Sequence, residues 1–452
     1  MKFNIHYLSL LLIYSLPISL MSGPAIPDIS ITLVGILFLI YAFKNSDFYW
    51  LRIDWIKAGI IFWISLILIS FFSINKYSSF IDSFIFIRYI ILSAAVYYWL
   101  ITDDKRLKVL LLILFSTIIF VLLDCAIQFF RYDPLIGFGA DIFGYLPTDY
   151  GRLTGPFNDQ VPGSHLSKFF FISLFLFLYF YKNYKYTKII ISLYYLSTGI
   201  IIFLSGERMA IATFLLGSLI FIFLFKDYRK LFLFLIITLF ISILAITKNH
   251  TSFNDFKVIE SSPHHLGLIL EKEYNCENNK KLKCFKEIKV QPEFISVLSN
   301  FKESVYYKIY STSYKMWLDN KITGVGLNNY EEVCKNNKKY KIISKNYGNC
   351  SSHPHNFYLQ WLIEAGIIGF LMFIIFIFYI LYLLFWKNSN DYTKISKESS
   401  NRIQSTYKFF SLSEADAIVV LGGDGFMLDI LKQYLIKTQK ILMLYIKLVL
   451  VI

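Results

Sequence analysis

The stretch TDDKRLKVLLLILFSTIIFVLLDCAI (102–127) opens with Lys105, Arg106 and Lys108, then runs uncharged from Val109 to Leu123. That run approaches the ~20 apolar residues a helix needs to cross a bilayer, and its basic flank marks one end of the crossing. Apolar runs of this kind recur at 5–21, 28–43, 56–74, 83–101, 107–127, 165–181, 188–204, 208–225, 230–247 and 357–386. The composition agrees, with 452 residues of which 56% are hydrophobic and 17% charged, too apolar for a soluble domain of this size. The expected fold is therefore an all-α polytopic membrane protein of about 10–11 transmembrane helices. The first run lacks a small-residue cleavage site and passes through SGPAIPD (22–28) into another span, so it is expected to stay as a span.

Charge sets the orientation. KNSDFYWLRIDWIK (44–57), TDDKRLK (102–108), KNYKYTK (182–188) and KDYRK (226–230) occupy alternate connections and are basic, whereas SGPAIPD and NKYSSFID (75–82) are not. By the positive-inside rule the basic set and the N-terminus are cytoplasmic, and residues 248–355 lie outside. The formal charge of +14 is then explained by topology and anionic headgroups, and no nucleic-acid partner is expected. Four units follow: a nine-helix bundle at 1–247, a large, mainly helical outer loop at 248–355, a last long span at 356–387 and a cytoplasmic tail at 388–452.

Cys125 falls within a span, while Cys276, Cys284, Cys334 and Cys350 all fall in the outer loop. Four cysteines in a loop assigned to the outside fit up to two disulfides, with three pairings open; their spacing is not the CxxC of a zinc site. His264 and His265 lack an acidic neighbour cluster and are expected to be surface residues.

The chemistry-bearing residues cluster near the outer ends of spans. SSHPHNFYLQWLIEAGIIGF (351–370) sets His353, His355 and Asn356 just before the last span, with Gly366 and Gly369 further in. A helix over 355–369 would bring His355 and both glycines to one face, and glycines there let a neighbouring helix approach closely. Gly324 and Gly326 in WLDNKITGVGLNNY mark a tight turn between two loop helices.

These stretches resemble the O-antigen ligase and polymerase family, in which a His followed by Asn, Ser or Gln, nine residues and GxxG-like glycines closes the large periplasmic loop. GVGLNNY (324–330) is similar to the family's glycine turn, LSGERMAIATFLLG (204–217) to its S-x-R entry to a span, and GRLTGPFNDQVPGSHLSKFF (151–170) to its R-x-x-G-P-F segment. The resemblance, over roughly residues 1–386, implies glycan transfer from an undecaprenyl (polyprenyl) diphosphate carrier, at the periplasmic face of the bacterial inner membrane. The acceptor it implies is lipid A–core for a ligase, a repeat unit for a polymerase or protein for an O-oligosaccharyltransferase.

It makes His355 the general base, an imidazole with an ordinary pKa of about 6.5, and Asn356 its orienting neighbour. Arg208 and Arg152 become diphosphate ligands, because guanidinium forks suit phosphate oxygens. His165 and His353 are further substrate-binding candidates. No cofactor and no metal are expected, since no DxD-like pair stands on the outer face. A transporter or flippase would place ionisable groups mid-span, where Arg88, Asp124 and Glu364 are the exceptions here.

In the tail, EADAIVVLGGDGFMLDIL (414–431) resembles the start of an NAD kinase, with Asp424 at the catalytic carboxylate. The similarity covers about 411–440, and such a fragment, without the rest of a nucleotide-binding sheet, is expected to lack kinase activity.

Overall fold

In a bilayer every backbone polar group must be satisfied internally, so each apolar run closes into a helix. The computed structural model describes residues 5–133, 137–147, 152–157, 162–254, 256–259, 271–273, 286–289, 301–303, 305–340 and 350–383. Within them lie α1 (Ile5–Ser19), α2 (Ala25–Lys44), α3 (Asp54–Ser70), α4 (Lys76–Ile85), α5 (Ile87–Val96), α6 (Asp104–Phe130), α7 (Pro162–Phe175), α8 (Thr187–Leu204), α9 (Arg208–Leu224) and α10 (Arg229–Asn249). After these come the short α11 (Thr251–Asn254), three strands, α12 (Val305–Asp319), α13 (Tyr330–Asn336) and α14 (Phe357–Tyr382).

Among the described residues, eight helical segments are long and apolar enough to cross a membrane, with α4 and α5 joined in one of them, Lys76–Ile101. The 17-residue α3 and α9 complete the series that the apolar runs mark out. The chain is an all-α polytopic membrane protein. Its surface suits that solvent: Leu123, Phe223, Phe234 and Phe378 remain exposed on their helices. One large core joins α1, α2 and α5–α10, and a second is made by α3 and α14, where Phe62 stacks on Phe376 at 5.4 Å and Trp361 on Phe373 at 5.1 Å. Of the charges within spans, Arg88 pairs with Asp28 at 3.2 Å.

Beside its helices, the 248–355 loop holds a small sheet among the described residues. β1 (Phe256–Ile259), β2 (Glu271–Glu273) and β3 (Lys286–Lys289) form an antiparallel sheet in the order β1-β3-β2. Strands this short and polar carry too little apolar alternation to be found by periodicity. Cys334 and Cys350 form a disulfide, with Cα atoms 5.5 Å apart. Cys276, Cys284, His264, His265 and the kinase-like segment with Asp424 lie outside the described residues.

The last span corrects an expectation. His355 is not helical: its φ is +52°, and Asn356 is the N-cap, its Oδ1 accepting from Leu359 N–H at 3.0 Å. The helix then breaks at Gly366 (φ +63°, ψ −170°), so His355, Gly366 and Gly369 do not share one continuous helical face. The reason is a backbone exchange with the Gly324 turn. Val325 N–H donates to Ile363 C=O and Gly326 N–H to Glu364 C=O, both at 2.8 Å. In return Ile367 N–H donates to Lys321 C=O at 2.9 Å and Ile368 N–H to Ile322 C=O at 3.2 Å. A Cβ on Gly366 would sit 2.3 Å from Ile322 O, and one on Gly324 2.5 Å from Glu364 O. Gly369 plays the expected packing role, since a Cβ there would meet Ile69 of α3 at 3.0 Å.

This contact predicts a measurable asymmetry between two glycines of similar backbone. Gly23 (φ +92°, ψ −177°) has open space around its would-be Cβ. Gly23→Ala should cost the conformational strain alone, about 1–3 kcal/mol. Gly366→Ala should add the loss of the docked hydrogen bonds, at roughly 1 kcal/mol each. Thermal unfolding in detergent checks this; equal midpoints for the two variants would refute it.

Candidate active site

The connections after α6, α8 and α10 meet the segment before α14 at one end of the bundle. Arg152 is placed there by its own segment. Leu153 and Phe157 are buried, and Gln128 of α6 clamps the backbone between them: its Oε1 accepts from Thr154 N–H at 3.1 Å and Gly155 N–H at 2.9 Å. Gly155 (φ +53°) is needed because a Cβ would lie 2.6 Å from Cys125 Sγ. The Arg152 side chain then runs across Gly206, where a Cβ would come within 3.2 Å of its Nε.

Arg208 is the first residue of α9, following the N-cap Glu207. A cation at a helix N-terminus opposes the macrodipole and does nothing for the helix. Arg208 lies within electrostatic reach of Arg152 and of the Tyr306 phenol from α12. Glu207 turns instead toward Ser164, which hydrogen-bonds to it, and toward the charges of Arg152 and Lys168. Burial pushes the Glu207 carboxyl above its ordinary range, while those hydrogen bonds and charges draw it down.

Tyr306 links the arginines to the histidines. Its ring meets His355 edge-on at 5.8 Å, and His353 lies 4.3 Å from His355, ring centre to ring centre. Both imidazoles are exposed. Tyr310 Oη donates to His355 C=O at 3.5 Å, and Ser352 Oγ lies 3.0 Å from His353 Nδ1.

Arg152, Arg208 and His355 are thus brought to one locality, with His353 beside them. Asn356 is held in its capping bond. His165 lies against Phe157 and Phe169, at 5.3 and 4.8 Å, and its Nε2 finds no hydrogen-bond partner among the described residues. Gly324, Gly326 and Gly366 build the support beneath the site. Sequence reasoning missed Tyr306 and Lys168. Tyr306 stands in a tyrosine-rich helix with nothing to single it out, while Lys168, one turn after Ser164 and the one Lys, Arg, Asp or Glu in α7, was a usable signal.

Residues 193–374 match the family model described as O-antigen ligase. No curated protein matches the chain. The matched stretch begins inside α8 and ends inside α14, so it holds Arg208, Tyr306, His353, His355, Asn356 and all four motif glycines. Arg152 and His165 precede it. The match supports glycan transfer in O-antigen biosynthesis as the activity class.

The Gln128 clamp is testable by hydrogen exchange. Gln128→Leu leaves two buried N–H groups unsatisfied, each worth about 1–3 kcal/mol. The amides of Thr154 and Gly155 should then exchange roughly 10- to 100-fold faster. Unchanged exchange would show that the Arg152 segment is held by other contacts.

Proposed function

We propose that this protein transfers a glycan from a polyprenyl diphosphate carrier to an acceptor hydroxyl at the periplasmic face of a bacterial inner membrane, as an O-antigen ligase. The observation that carries this reading is the convergence of Arg152, Arg208 and Tyr306 on His355, within an end of the bundle that also bears the family match. The charge pattern of the connections supports assigning that end to the outer side.

In this reaction the acceptor hydroxyl attacks the donor's anomeric carbon. His355 takes the hydroxyl proton, the new glycosidic bond forms, and the bond from the anomeric carbon to the diphosphate oxygen breaks. Arg152 and Arg208 hold the departing diphosphate, whose growing negative charge they stabilise. Tyr306 stands between the two functions and sets the distance from leaving group to base. The glycosyl phosphate bond supplies the driving force, so the reaction draws on no nucleotide and no metal.

Two outcomes are expected in cells lacking their own O-antigen ligase, with lipopolysaccharide read on gels. The full chain should restore the ladder, and His355→Ala should reduce transfer by about 10²–10⁴-fold, as expected for loss of a general base. Arg208→Lys should retain more activity than Arg208→Ala yet fall short of wild type, because an ammonium lacks the fork geometry. A ladder undiminished in His355→Ala would sink the mechanism, and one restored only in a polymerase-deficient strain would move the activity to repeat-unit polymerisation. In purified protein, transfer should survive EDTA; loss of activity that Mg²⁺ restores would overturn the metal-independent step.

A further inference from the structure

The connection after α6 does not leave the bundle as an ordinary outer loop. It reverses through a bridge between Asp133 and Gly137 and then descends along the helix it has just left. Gly139 N–H donates to Gln128 C=O at 3.1 Å, Ile142 N–H donates to Asp124 Oδ1 at 2.8 Å, and the Phe143 ring lies 6.2 Å from that of Phe120. Successive loop residues 139, 142 and 143 therefore meet residues 128, 124 and 120 of α6. Gly139 permits the approach, since a Cβ there would fall 2.3 Å from Arg131 Cβ.

Depth follows from helix geometry. Counting ~20 residues at ~1.5 Å each from Lys108, the last charge of the basic end, the ~30 Å hydrocarbon core extends to about residue 128. Asp124 then lies about 6 Å inside the core and Phe120 about 12 Å inside. The loop bottoms out there in a tight turn. Asp141 N–H donates to Tyr145 C=O at 2.9 Å, Tyr145 N–H donates to Asp141 Oδ1 at 2.7 Å, and Gly144 takes φ +90°. Arg131 adds a bond to Ala140 C=O at 3.0 Å. Asp124 and Asp141 are themselves buried, whereas Ile142, Phe143, Tyr145 and Leu146 are 48%, 64%, 65% and 55% exposed on the outside of the bundle. Irregular backbone at this depth is tolerated only where protein covers its polar groups; here Asp124 and Asp141 take up the Ile142 and Tyr145 N–H groups, and Arg131 the Ala140 C=O.

We propose that residues 138–147 form a re-entrant turn packed along α6, whose Ile142, Phe143, Tyr145 and Leu146 side chains enter the lipid acyl chains of the leaflet on the Arg152 side, with Asp124 as its anchor. Only four residues separate this turn from Arg152, so the turn limits how far that arginine can stand from the membrane surface, where a lipid-borne anion would arrive.

Phe143→Cys carrying an environment-sensitive nitrobenzoxadiazole label tests this in phosphatidylethanolamine–phosphatidylglycerol vesicles. The unsubstituted protein serves as a blank and Lys338→Cys, in the outer loop, as an exposed control. The label at 143 should emit at shorter wavelength than at 338, be quenched by doxyl-bearing acyl chains and resist aqueous iodide. Iodide quenching equal to that at 338 would overturn the proposal, as would protection from both quenchers, which means a protein neighbour covers the turn. Leu146→Cys gives a second position should Phe143→Cys not fold. With the label at 143, Asp124→Asn keeps an acceptor for Ile142 N–H and should leave the signal unchanged. Asp124→Leu should bring iodide access, and no change there would remove Asp124 as the anchor.

Discussion

The exchange of backbone hydrogen bonds between the Gly324 turn and the break at Gly366 is the contact on which the outer end of this protein depends. A helix interrupted inside a bilayer leaves N–H and C=O groups without partners, and each would cost several kcal/mol if left so. Here Val325, Gly326, Lys321 and Ile322 supply the missing partners. The same turn ties into the corner between α3 and α4. Ile74 N–H donates to Val325 C=O at 3.1 Å, Leu327 N–H to Ser79 Oγ at 2.9 Å, and Asn329 Nδ2 to Asn75 C=O at 3.2 Å. Glu364 completes the joint, its buried carboxyl accepting from the backbone N–H groups of Asn328 and Tyr330. Few side chains larger than hydrogen fit between two backbones this close, which is why glycines recur at both contact points.

Rigidity at this joint carries over to the histidines. The disulfide from Cys334 to Cys350 ties α13 to the segment that leads into Ser351, and Tyr310 of α12 holds the His355 carbonyl. His355 is therefore suspended between a loop helix and the N-cap of α14, in a left-handed backbone conformation that a histidine rarely adopts. Strain of that kind persists where surrounding contacts over-determine it. An exposed imidazole fixed in this way keeps its ring open to a ligand while losing little freedom on binding one.

The crossings were legible in the sequence because bilayer thickness imposes one length on every span and the solvent imposes one composition. Runs such as 107–127 and 188–204 lie within a few residues of α6 and α8. The glycines at 324, 326, 366 and 369 were also visible, but their purpose was only half legible. The azimuth argument assumed an unbroken helix through 355–369. An Asn directly before an apolar run is an N-cap signal that would have moved the start past His355, and Glu364 two residues before Gly366 hinted that the run was not a plain span. What stayed hidden is non-local. Nothing near Asp124 announces a partner 18 residues later, and nothing near Tyr306 announces Arg208 on one side and His355 on the other.

The electrostatics of the site point the same way as its geometry. Arg152 and Lys168 gather around the carboxylate of Glu207, partly withdrawn from water, and Arg208, within reach of Arg152, adds its charge to the positive end of the α9 dipole. Folding alone gains little from such an arrangement, since like charges repel more strongly where the dielectric falls. Glu207 offsets part of that repulsion and holds Arg152 in place. In the proposed reaction the remainder is relieved when the multiply charged diphosphate enters, and relieved further as it gains charge on departure. A site with its positive charge assembled before the ligand arrives has little reorganisation left to do in the reaction, which is how fixed charges and dipoles lower a barrier.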